Sequence, residues 1–180
     1  MLLVNMKMKP LKLVLPSKKY LKSYQGFCYD FIKNGHTENY KTGYEKQLIS
    51  SKKLLFLKWL HDDRKGINLE KGAVQQTAYW AIVDDKVVAR ANIRHKLNKS
   101  LQDFGHIGYD VKPKEQGKGY GTALLKQLIA KAKTIGLKKI IITCDEKNIG
   151  SRKVIERNGG KLKKIAPYHE KQYCYYWITL

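Results

Sequence analysis

The 180-residue chain is 43% hydrophobic, enough for one ordinary globular domain and too short for two comfortable ones. Its 36 Lys+Arg against 15 Asp+Glu leave a net charge of +21, which attracts nucleic acid or any polyphosphate and favours acidic or neutral substrates over polyamines. The longest apolar stretches, Leu54 to Leu60 and Ile140 to Thr143, fall far short of the roughly 20 residues a membrane span needs, and the start carries no signal-peptide order, so the expected location is the cytoplasm with no membrane partner.

Leu11 to Leu15 alternates apolar with polar residues and stops at Pro16, predicting a short first strand, with Ser17 as the cap of the next element. From Lys18 to Asn34 apolar residues recur every three or four positions, the helical period; Gly43 to His61 repeats the pattern and Asp62 to Gly72 reads as a loop. Thr77 to Val83 and Val87 to Ile93, separated by Asp84-Asp85, predict a hairpin. After a loop over Asn98 to Asp103, the alternation at Ile107, Tyr109 and Val111 predicts a further strand ending at Lys112-Pro113. The stripe Leu124, Leu125, Leu128, Ile129, Ala132, Ile135 marks a helix from Gly119 to Gly136. Lys139 to Cys144 has a buried-strand composition, and strand, helix, strand in this order implies a parallel pair. A short helix over Asn148 to Arg157 and two strands, Lys161 to Ile165 and Gln172 to Thr179, split by Pro167, complete the chain.

Three cysteines, Cys28, Cys144 and Cys174, show no CxxC spacing, and the five histidines show no HxxxH or HExxH, so no metal site is expected. The informative segment is Val111-Lys-Pro-Lys-Glu-Gln116-Gly-Lys-Gly-Tyr-Gly121-Thr122, between a strand and the best helix. Alternate glycines let backbone N–H groups converge at a helix N-terminus, which binds phosphate. A Walker loop is absent, and the dinucleotide pattern GxGxxG fails because position 122 is Thr.

Gln116-Gly117-Lys118-Gly119-Tyr120-Gly121 does match Q/R-x-x-G-x-G/A and resembles the pyrophosphate loop of the GNAT superfamily of acetyl-CoA-dependent N-acetyltransferases. Ile107 to Pro113 resembles that family's fourth strand, and Thr143 to Gly160, with Asn148, Ser151 and Asn158-Gly159-Gly160, its fifth strand and fourth helix. The resemblance implies a mixed α/β (α+β) fold with a central, mostly antiparallel sheet of six or seven strands, a parallel pair at the cofactor site and about four helices. It also implies one GNAT-like domain over residues 1–180, with a variable acceptor-side part (1–76) and an acetyl-CoA-binding part (77–180).

The implied activity is direct transfer of acetyl from acetyl-CoA to a primary amine of a small molecule or protein in a ternary complex. Cofactor contacts are expected from Gln116, Gly117, Lys118, Gly119, Tyr120, Gly121 and Thr122 on the diphosphate, from Tyr109, Asp110 and Val111 along the pantetheine, and from Asn148, Ser151 and Lys153 on its other side. A strand N–H near Gly108 or Tyr109 would stabilise the oxyanion. The family's helix tyrosine, which protonates the thiolate, is replaced by Ile155; His106, Asp103, Asp110 and the tail tyrosines, Tyr175 among them, are then the candidates for proton transfer, with His106 favoured because neutral imidazole suits pH 7. The charge also raises a nonspecific nucleic-acid or ribosome-associated binding role, the missing tyrosine a CoA sensor without turnover, and a homodimer is the commonest closed assembly.

Overall fold

The structure is a computed structural model that describes residues 9–35 and 53–180. Its strands are β1 (Lys12–Val14), β2 (Gln76–Val83), β3 (Lys86–Arg94), β4 (Ile107–Val111), β5 (Lys139–Asp145), β6 (Lys161–Tyr168) and β7 (Lys171–Thr179). Its helices are α1 (Leu21–Lys33), α2 (Lys53–Lys65), α3 (Tyr120–Thr134) and α4 (Ile149–Arg157). The part of the second predicted helix before Lys53 lies outside the described residues. Seven strands and four helices among the described residues make the mixed α/β fold that the sequence implies.

The strands form two antiparallel ladders, β1-β2-β3-β4 and β5-β7-β6. Alternation along β2 sends successive side chains to opposite faces, and each face has its own core. Trp80 and Ile82 join Tyr24, Phe27 and Phe31 of α1 and Phe56 of α2, with the Tyr24 and Trp80 rings stacked at 4.4 Å. Ala81 and Val83 face the other way, with Ile93 and Ile107, toward Leu124, Leu125 and Leu128 of α3 and Ile140, Ile142 and Tyr176 of the second ladder. Burying large apolar side chains on both faces, at roughly 1.5–3 kcal/mol each, holds the first ladder between α1/α2 and α3.

β4 and β5 belong to different ladders and are joined at one end only. His106 N–H donates to Ile141 O (2.7 Å), Ile141 N–H donates to His106 Nδ1 (3.0 Å), and Thr143 Oγ1 donates to Asp103 O (2.9 Å). From this junction the two strands run in the same sense, β4 toward Val111 and β5 toward Asp145, and both line one cleft. A Cβ at Gly105 would sit 2.5 Å from Ile141 O, so the close approach at the junction requires glycine.

Several boundaries differ from the sequence reading. Helix α2 continues to Lys65, four residues past His61, because the Lys58–Asp62 pair stitches its last turn. Ser17 makes no side-chain cap; its carbonyl accepts the Tyr20 N–H (3.2 Å) in a short 3-10 turn that precedes α1. Pro167 does not split the tail: β6 is an edge strand, bonded to β7 alone, where a missing N–H costs no ladder bond. Asp84 and Asp85 both adopt positive φ (47° and 55°), the tight hairpin turn expected of them.

Candidate active site

The loop before α3 begins with a short turn over Pro113–Glu115, extends at Gln116, and enters left-handed geometry at Gly117 (φ 77°) and Gly119 (φ 87°). Gly119 is the N-cap of α3, and since it has no side chain, no cap accepts the N–H groups of the first turn. The first intrahelical bond runs from Ala123 N–H to Gly119 O (3.2 Å), leaving the N–H groups of Tyr120, Gly121 and Thr122 aimed out of the helix with its positive dipole end. Gly121 packs under α4, where an added Cβ would meet Val154 Cγ2 at 3.2 Å. Asn158 Nδ2, at the end of α4, donates to Thr122 O (3.2 Å), tying α4 to the start of α3.

This loop floors a cavity of about 500 Å³. Of the residues the sequence reading assigned to the cofactor, Gln116, Gly117, Gly119, Gly121, Thr122, Tyr109, Asp110, Val111, Asn148, Ser151 and Lys153 line it. Lys118 and Tyr120 do not: Lys118 Nζ is turned to Glu115 Oε2 (2.9 Å), and the Tyr120 ring is buried in the α3 core. The cavity is also lined by Phe31 and Glu115 and, along α4, by Gly150, Val154 and Arg157, none of which the sequence reading assigns; the spacing of three and four residues along α4 is the available signal. At the helix start Asn148 Oδ1 accepts the Ser151 N–H (2.9 Å), an N-cap that fixes Ser151.

A second cavity, of about 590 Å³, lies on the α1/α2 side and shares Tyr109, Asp110, Asn148 and Ser151 with the first. The exposed edge of β4 lies along their meeting point. The bonds Arg94 N–H to His106 O (2.7 Å) and Lys112 N–H to Val88 O (2.8 Å) set the register, so Gly108 and Asp110 pair with β3 while the main-chain groups of Tyr109 and Val111 face the gap toward β5. Gln116 Nε2 occupies one of them, Val111 O, at 3.1 Å. At the meeting point Tyr109 Oη and Ser151 Oγ are 3.0 Å apart, and burial pushes the Tyr109 phenol up to about 12.

Of the proton-transfer candidates, Asp110 lines both cavities and is paired with Arg90, and Tyr173 lines the second; His106 and Tyr175 sit elsewhere. His106 lines neither cavity; its Nδ1 accepts the Ile141 N–H, so the neutral ring carries its proton on Nε2, and burial together with nearby Arg94 holds its pKa below the usual histidine value. Tyr175 also lines neither; it donates to Asp103 Oδ1 (2.7 Å), and burial, with that carboxylate, pushes it up to about 12. Ile155, which the resemblance sets where the family carries a tyrosine, is fully buried in the α3 core. Cys144 borders the second cavity, but burial and neighbouring Cys174 push its thiol up to about 11, leaving it protonated and a poor nucleophile at neutral pH. Among the described residues no group of three His, Cys, Asp or Glu could hold a metal ion, and no helix is long and apolar enough to cross a membrane.

The acetyltransferase (GNAT) domain model matches residues 37–161. The chain belongs to the GNAT acetyltransferase family. It is an acyltransferase of the acetyl-CoA-dependent type, and the glycine loop and open strand edge are the features a CoA thioester needs. Solved structures similar to this GNAT chain include the microcin C7 self-immunity acetyltransferase MccE in complex with acetyl-CoA and AMP, 17% identical, TM-score 0.69, covering 94% of this chain and 92% of that one. Mycobacterium smegmatis RimJ, in complex with CoA-disulfide, is 15% identical with TM-score 0.70, over 94% of this chain and 81% of that one. The ribosomal L7/L12 alpha-N-protein acetyltransferase RimL, in complex with coenzyme A, is 15% identical with TM-score 0.66, over 98% and 97% of the two chains. No curated protein matches this GNAT chain in sequence.

Proposed function

We propose that this cytosolic enzyme acetylates a primary amine by direct attack on acetyl-CoA in a ternary complex. The observation that carries the reading is the meeting of two cavities at Tyr109 and Ser151, one floored by the uncapped start of α3 and the other lined by polar and aromatic side chains. In this reading the N–H groups of the Gln116–Thr122 loop hold the diphosphate, with Lys153 and Arg157 beside it, and the pantetheine pairs with the open edge of β4 as an added strand. The carbonyl then lies near Tyr109 N–H, the donor that the register leaves on the gap side, which stabilises the oxyanion.

The amine nitrogen attacks the thioester carbon, the C–S bond breaks, and the nitrogen's proton passes through solvent to the departing thiolate, so that coenzyme A leaves as its thiol. A phenol held near 12 is a poor acid for a thiolate, so Tyr109 acts by donating a hydrogen bond to the departing sulfur. His106 and Tyr175 act as positioning residues, holding the β4–β5 junction and the 99–105 loop. In the division of labour 1–76 contributes α1 and α2 to the acceptor side and 77–180 carries the cofactor. Initial rates with acetyl-CoA and amine both varied test the reading: intersecting double-reciprocal lines are expected, and parallel lines, the mark of an acetyl-enzyme, would refute it.

A further inference from the structure

Beneath the basic surface lies an acid with no counter-ion among the described residues. Asp63, in the last turn of α2, is 6% exposed. Burial disfavours its charge, as do the negative end of the helix dipole and the neighbouring carboxylates Asp62 and Glu70, and its pKa is raised accordingly. Asp62 shows the contrast: Lys58 and Asn68 Nδ2 (3.0 Å) satisfy it and hold it down to about 2. Among the described residues no cation pairs with Asp63; its partner is the neutral Gln76, whose Nε2 donates to Oδ2 (2.9 Å). Among the described residues Oδ1 has no hydrogen-bond partner and is not sealed from solvent, and Asp63 lines the second cavity.

Gln76 relays this arrangement toward the reaction centre. Its Oε1 accepts from Asn92 Nδ2 (2.9 Å), which turns Asn92 Oδ1 toward Gly108, where an added Cβ would lie 2.8 Å away. The cavity therefore presents two acceptor oxygens on one face of the sheet: Asn92 Oδ1 beside β4, and Asp63 Oδ1 above β2, two strand spacings or about 10 Å from β4. Tyr24, Phe56 and Trp80 supply an apolar, aromatic wall to the same cavity. The cavity's own cations are directed elsewhere: Arg90 Nε donates to Asp110 Oδ2 (2.8 Å) and Arg94 Nη1 to Gly105 O (2.9 Å).

We infer that Asp63 binds a second, non-reacting cation of the acceptor, which is an aliphatic diamine or polyamine whose reacting nitrogen donates to Asn92 Oδ1 beside Gly108. The inference rests on the acetyl-transfer reading of this cleft, and it reverses the preference that net charge alone suggests, since among the described residues Asp63 is buried with no cation paired to it. A buried carboxylate without a cation is unfavourable in the free protein and is relieved when an ammonium arrives.

The test compares α,ω-diamines of increasing length with monoamines of equal carbon number, in the wild type and in Asp63→Asn, which keeps an oxygen for Gln76. Wild-type kcat/KM is expected to favour diamines by roughly tenfold or more, the scale of one charge-assisted hydrogen bond. The D63N variant should collapse that ratio to near unity through diamine KM, while acetyl-CoA affinity, measured by calorimetry, shows the fold intact. Equal efficiency for the two series, or an unchanged ratio in the variant, overturns the assignment and leaves acetyl transfer standing. Absence of transfer to every amine together with absence of acetyl-CoA binding overturns both.

Discussion

Tyr109→Phe removes one oxygen at the point where the two cavities meet and leaves the ring in place. In the free protein the lost bond is the 3.0 Å contact with Ser151 Oγ, between two neutral hydroxyls beside a cavity, so the stability change is expected to stay near 0.5–1.5 kcal/mol. In the proposed reaction the phenol faces a departing thiolate, and a hydrogen bond to a charged group contributes about 1.5–3 kcal/mol. The chemical step should slow by roughly 10- to 150-fold, at 1.36 kcal/mol per factor of ten. Single-turnover release of coenzyme A, followed by its thiol, isolates that step from product release. Because the phenol is pushed up to about 12, it is neutral throughout the working range, and the variant's pH profile should keep the wild-type shape between about pH 6 and 9. A single-turnover rate within twofold of wild type would refute the hydrogen-bond role. Loss of an alkaline limb near pH 9 would instead make Tyr109 a true proton donor.

His106→Ala leaves the Ile141 N–H without its acceptor, and a loss of about 1–3 kcal/mol in chemical denaturation is expected, with no shift in the acidic limb of the pH–rate profile. The same residue gives a pH signature. Its folded pKa is lowered, so the stability it contributes is full above the ordinary 6.5 and is lost as pH falls through the folded value; thermal melts should show wild type losing stability below about pH 6.5 more steeply than the variant. Ile155→Tyr, which restores the family's residue, should overpack the α3 core by roughly 1–3 kcal/mol and bring no gain in kcat, since the side chain points into the core. Gly105→Val drives a Cβ onto Ile141 O and forces a branched side chain into φ 68°; denaturant titration should show a large loss of stability, because the β4–β5 junction cannot close around it.

The glycine loop and the helix after it were legible in the sequence because their signal is local. Gly117, Gly119 and Gly121 on alternate positions, followed by the Leu124–Ala132 stripe and Gly136, describe a turn and a helix that need no distant partner to be recognised. The second cavity, the proposed acceptor side, was not, because sheet register builds it. Gln76, Asn92 and Gly108 are far apart in the chain and become neighbours only when β2, β3 and β4 pair, and Asp63 lies in a stretch whose charge reads as loop. The same blindness applies to Cys144 and Cys174, which register places directly opposite each other on β5 and β7. His106 shows a further limit: the bond its Nδ1 accepts from a main-chain N–H across the β4–β5 junction leaves no trace in a strand pattern. Pro167 misleads for another reason, since only the ladder order shows that β6 is an edge.

The main-chain donors at the start of α3 are the feature on which the acetyl-transfer account stands. Isothermal titration of coenzyme A into wild type and Gly119→Val tests them directly, because a branched residue at φ 87° costs at least the roughly 1–2 kcal/mol of the left-handed region and turns the loop's N–H groups out of register. Tight binding to wild type and a loss of tenfold or more in the variant are expected. Equal affinity for the two proteins would contradict the acetyl-transfer reading.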